Sequence, residues 1–147
     1  MEIDLNKRYQ TLLVLWFALF MSVVMYLLFA LFVAPNPGNP PGSPPNTLLL
    51  LGFSVLGAFF VGVSLAVKKK FLDRSVERQD LSLVQKGMIL ACALCEVSAL
   101  LGLVGHFIAG DREFYLLFLL AGGGMALHFP KRIHLEAASY KSLNPPN

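Results

Sequence analysis

Residues 88–104 read MILACALCEVSALLGLV, apolar throughout apart from one acidic side chain, Glu96, near the centre. A run of this kind, extended to residues 84–109, is long enough to cross a hydrocarbon core of about 30 Å as a helix. A charged side chain at the centre of such a helix costs roughly 2.5–3.5 kcal/mol on insertion scales. Packing in so apolar a chain has no need of it. At 1.5 Å per residue, Glu96 stands about 18 Å from one end of this span and about 20 Å from the other, near the midplane.

Working outward, the same span carries a stripe of small residues: Gly87, Ala91, Cys95, Ser98, Gly102, Gly105 and Ala109. A spacing of three or four places them on one helix face, where small side chains let backbones approach closely in a membrane. At 100° per residue, Glu96 points roughly 140° away from that stripe. The preceding apolar run, residues 47–67, is also rich in small residues, including Gly52, Gly57 and Gly62, and ends at Lys68, Lys69 and Lys70. Residues 71–83 are charged and helix-compatible, an extension of the spans beyond the bilayer. A first uncharged run, residues 12–34, follows a short polar head and is too long for the apolar core of a secretory signal. A fourth, residues 114–129, is short and contains Gly122, Gly123 and Gly124, which permit close packing. It either spans thinly or extends past Pro130.

The whole chain agrees. Of its 147 residues 56% are hydrophobic and 14% charged, with mean hydropathy +0.64, against about 25% charged in soluble domains. The expected fold is an all-α, single four-helix transmembrane domain over residues 1–147, with spans at about 11–34, 47–67, 84–109 and 114–129. Residues 35–46 (PNPGNPPGSPPN) hold six prolines and no charge, a stiff spacer between helices. Eleven of the twelve basic residues, all except Arg112, fall within residues 7–8, 68–86 and 131–141, at one end of the spans. The positive-inside rule then puts both termini and the loop after Lys68 in the cytoplasm of an inner-membrane protein. Topology thus explains the net charge of +3, and no nucleic-acid partner is expected. The lysine run with Arg74 and Arg78 is able to attract anionic lipid, but orientation already accounts for it.

Glu96 is the candidate proton-binding residue. Desolvation disfavours its charged form, and no basic residue of the chain lies at its depth, so a neutral acid is expected there. The alternative role is structural: a protonated glutamate bonded to a neighbouring helix through Ser54, Ser22 or a backbone carbonyl. The candidate helix-packing residues are Gly52, Gly57, Gly62, Gly102, Gly105, Gly122, Gly123 and Gly124.

MILACALCE, residues 88–96, resembles the stretch leading to the ion-carrying carboxylate of the c subunit (proteolipid) of rotary ATP synthases. Ala99, Gly102, Leu103 and Val104 match the small residue and the Gly-Leu-Val that follow it, and Arg78-Gln79 stands where that family's polar loop commonly has Arg-Gln. The resemblance covers roughly residues 47–109. It implies a cytoplasmic-loop hairpin with Glu96 as the proton-binding carboxylate, flanked here by an extra transmembrane helix on each side. The chain departs from the family where Gly52, Gly57 and Gly62 are five apart rather than closely spaced and where Asp80 replaces the usual proline after Arg-Gln; four-span vacuolar-type relatives consist of two such hairpins, and this sequence shows no second copy.

Other chemistry is sparse. Cys92 and Cys95 form C-x-x-C, but inside an apolar helix cysteine acts as a small hydrophobe. His106 lies about 15 Å along the helix from Glu96, and His128 and His134 flank the cytoplasmic end of the fourth span. None has metal-ligand spacing, and no P-loop, nucleophile elbow or H-E-x-x-H occurs. No enzyme activity, metal or cofactor is expected. Two functions fit: a proton-handling membrane component using Glu96, or a non-catalytic packing subunit or scaffold. Its partners are the lipid bilayer and either other membrane subunits or further copies of itself.

Overall fold

A computed structural model describes residues 5–33, 47–110 and 112–139. The proline segment, Asp111 and the tail from Tyr140 onward lie outside the described residues. Those described are 93% helical, with no strand. Three long helices, α1 (Leu5–Phe32), α2 (Thr47–Arg78) and α3 (Leu81–Ala109), are followed by the 3-10 turn Arg112–Phe114, α4 (Tyr115–Leu127) and α5 (Arg132–Ala138). The long three measure about 42–48 Å and are apolar enough to cross a membrane. Large apolar side chains such as Val14, Phe17, Leu51, Phe59, Ile108 and Leu119 lie exposed on the outer faces. Such a surface suits lipid and is compatible with a multi-pass membrane protein.

The charged segment after Lys70 continues α2 to Arg78. The chain then reverses within two residues. Gln79 takes a positive φ of 51°, and Asp80 caps α3, its carboxylate accepting from Ser82 N at 2.8 Å. Asp and Ser compete well for free helix-end donors, which fixes this start. At the other end Gly110, at φ 73°, adopts the left-handed conformation, and its N–H reaches His106 O at 2.8 Å.

The fourth span needs correcting. An uninterrupted helix over residues 114–129 is not formed: α4 ends at Leu127 and its 13 residues reach only about 20 Å. Pro130 removes a backbone donor and biases its predecessor away from helix. His128 and Phe129 close the end with short-range bonds to Met125 O and Ala126 O. The segment Arg112–Leu127 meets α5 at a bend of 49°. A fourth span exists only if this bent pair is counted as one.

Helix α3 is central, packed by α1, α2 and α4. All seven residues of its small stripe are buried. A Cβ at Gly57 of α2 would stand 2.7 Å from both Ser98 Oγ and Leu117 Cδ2; at Gly102, 2.9 Å from Leu117 Cβ; at Gly124, 2.9 Å from Cys95 Sγ. At Gly105 it would overlap the Phe114 ring, and at Gly87 it would stand against Phe71. At Gly52, Gly62, Gly122 and Gly123 it would meet nothing within 4 Å. Close approach inside the chain therefore uses Gly57, Gly87, Gly102, Gly105 and Gly124. The other four are open to a neighbour outside it.

Candidate functional site

Glu96 lies on the side of α3 turned toward α1. Ser22 Oγ donates to Glu96 Oε1 at 2.7 Å and Tyr26 OH donates to the same oxygen at 3.0 Å. The two donors are four residues apart, one turn of α1, so a single face of that helix presents both. Ser22 Oγ also lies 2.7 Å from Leu19 O, so its single hydroxyl proton is shared between that carbonyl and Glu96 Oε1. The carboxyl is half-buried between the helices. Helix α1 is fixed on either side of this contact. Trp16 Nε1 donates to Met125 O at 2.9 Å, with its ring 5.3 Å from Phe20 and 5.0 Å from Phe129. Near the other end, Tyr115 OH reaches Ala30 O at 3.4 Å.

Of the partners considered for Glu96, Ser22 makes the bond and Ser54 does not. Tyr26 adds a donor that sequence reasoning missed. It is 70 positions from Glu96, and no local pattern sets the register of α1 against α3. The only available signal was two hydroxyls one turn apart in an otherwise apolar run.

A second buried polar group occupies the opposite, stripe side of α3. Ser64 Oγ donates to Val61 O at 2.6 Å, lies 2.8 Å from His128 Nε2 and contacts Cys95 Sγ at 3.4 Å. A hydroxyl has one proton. With that proton on Val61 O, Ser64 accepts from His128 Nε2, which makes His128 Nδ1 the acceptor nitrogen of a neutral ring. His128 is fully buried, and Nδ1 has no hydrogen-bond partner. The sequence placed His128 at an interface; the bend after Leu127 turns it inward instead. Lys68 Nζ donates to Leu127 O at 3.2 Å, one of the carbonyls the helix end releases.

Cys92 and Cys95 are free thiols with no exposed surface. His106 is buried on α3 with its ring centroid 5.1 Å from that of Tyr115. Among the described residues no three His, Cys, Asp or Glu side chains are grouped as a metal site requires. The two polar clusters flank α3 at adjacent positions, 95 and 96, on different faces, so Glu96 and His128 do not share a site. Comparison with protein-family models, curated proteins and solved structures finds no match for the chain.

Proposed function

We propose that the chain is a multi-pass inner-membrane subunit that takes up and releases protons at Glu96. The observation carrying this reading is the convergence of Ser22 and Tyr26 on one oxygen, Oε1. A neutral carboxyl holds its proton on one oxygen while the other still accepts. With the proton on Oε2, both hydroxyl bonds are kept; when the proton leaves, the same bonds shield the anion. Proton exchange then requires no rearrangement of the helices. The hairpin of α2 and α3, with the acid on its second helix, is the arrangement that the resemblance to the rotary c subunit implies. In this reading the turn at Gln79–Asp80 and both termini face the cytoplasm, where the basic residues gather.

The test is reaction with a hydrophobic carbodiimide, which attacks a protonated carboxyl in lipid. Labelling at Glu96 that disappears in Glu96→Gln is the expected result. Labelling, stability and proton flux all unchanged by Glu96→Gln would remove the proposal. A second reading, a packing subunit or scaffold, is favoured by the open positions at Gly52, Gly62, Gly122 and Gly123. There, Gly123→Leu should disrupt assembly with membrane partners; normal assembly counts against it.

A further inference from the structure

At the lysine-bearing end of the bundle, a cavity of about 20 Å³ lies between α1, α2, α3 and the bend before α5. Room of about 10–15 Å³ suffices for one water-sized group, so the space admits one oxygen. Apolar side chains make most of the wall, and its polar lining is Lys68, His128, Lys131 and His134, with no carboxylate. His128 is fully buried, its Nε2 is held by Ser64, which is not part of the wall, and its Nδ1 is unpartnered. A buried acceptor left unpaired costs about 1–3 kcal/mol, so a donor belongs beside it.

A larger groove of about 450 Å³ adjoins, sharing Lys68, Leu72 and His134 with the cavity. Its wall has Leu65 and Leu127 on the side of the apolar run, then Lys68, Lys69 and His134, and beyond them Leu72, Val76 and Asp73, its one carboxylate. Lys68 uses one N–H on Leu127 O, and an ammonium has three. Lysines placed where an apolar span ends stand at the level of lipid headgroups.

We propose that this groove and cavity bind one anionic phospholipid whose headgroup carries a hydroxyl. Its phosphate lies against Lys68 and Lys69, its headgroup hydroxyl donates to His128 Nδ1 inside the cavity, and its acyl chains run along Leu65 and Leu127. A hydroxyl satisfies an acceptor nitrogen that a phosphate oxygen cannot.

The experiment uses the full chain in mild detergent and counts bound lipid by native mass spectrometry. Phosphatidylglycerol supplies anion and hydroxyl, phosphatidylmethanol the same charge without the hydroxyl, and inorganic phosphate the free anion. Phosphatidylglycerol should bind tighter than phosphatidylmethanol by roughly threefold to tenfold, the range of one hydrogen bond, and inorganic phosphate should not compete. Lys68→Gln should weaken both lipids about fivefold, while Lys70→Gln, which removes a charge outside the groove, should not. If Lys70→Gln matches Lys68→Gln, the attraction is diffuse and the site is refuted. Equal binding of the two lipids refutes the hydroxyl contact, and displacement by inorganic phosphate refutes a lipid in favour of a free anion.

Discussion

Replacing Gly102 by Ala places a methyl group where α3 meets α4. The new Cβ would lie 2.9 Å from Leu117 Cβ, 3.1 Å from Phe114 O and 3.3 Å from Phe118 Cε2. The first two atoms are a side-chain stem and a backbone oxygen, and neither moves alone. Phe114, Leu117 and Phe118 are 0%, 1% and 3% exposed, so the neighbours have nowhere to go. Overpacking of this kind costs about 1–3 kcal/mol. Gly→Ala in a helix also gains about 1 kcal/mol of propensity, which obscures the clash in a single mutant. Gly123→Ala is the control, since its Cβ meets nothing within 4 Å and it collects the propensity gain alone. The difference between the two variants isolates the clash at about 1–3 kcal/mol, which is roughly 2–12 °C in Tm at about 2–4 °C per kcal/mol. The fully buried thiols of Cys92 and Cys95 supply the readout, because maleimide reaches them only on unfolding. Heating the two variants in mild detergent with maleimide should show Gly102→Ala labelled at the lower temperature. Equal midpoints would refute the close packing of α3 on α4.

Two further outcomes follow from the same contacts. Ser64→Ala strips His128 Nε2 of its partner inside the bundle and should cost about 1–3 kcal/mol; Ser75, also fully buried but bonded only to Leu72 O, should lose less on truncation to Ala, and thermal unfolding of both variants side by side checks the order. Ser82 holds the Asp80 carboxyl below its ordinary value of 3.8, so the cap's contribution is full above that value and is lost as pH falls through the lower folded one. The stability gap between wild type and Asp80→Ala should therefore narrow in strong acid, and a gap independent of pH would show that the ionised cap contributes nothing.

The long helices were legible because each contains an apolar run long enough to cross a bilayer as a helix. Helical arithmetic separated the face of Glu96 from the small stripe, and the structure places α1 on one and α2 and α4 on the other. What stayed hidden depends on register between distant segments. Nothing near residue 26 announces residue 96, and nothing near Ser64 announces His128. The break after Leu127 had a visible cause in Pro130, yet the inward turn of His128 depends on how α4 seats on α2. The glycines divide similarly. Small residues mark faces suited to close approach, but only the packed bundle tells Gly124, against Cys95 and Val61, from Gly123, open to the outside.

The most direct test of the proton-carrying reading is infrared difference spectroscopy of wild type against Glu96→Gln in lipid vesicles, titrated with pH. The expected result is a protonated-carboxyl band that belongs to Glu96, vanishes reversibly as the proton leaves and shifts in frequency in Tyr26→Phe, which removes one of the two donors to Oε1. A carboxylate signal at every pH, or a carboxyl band that never responds to pH, contradicts it.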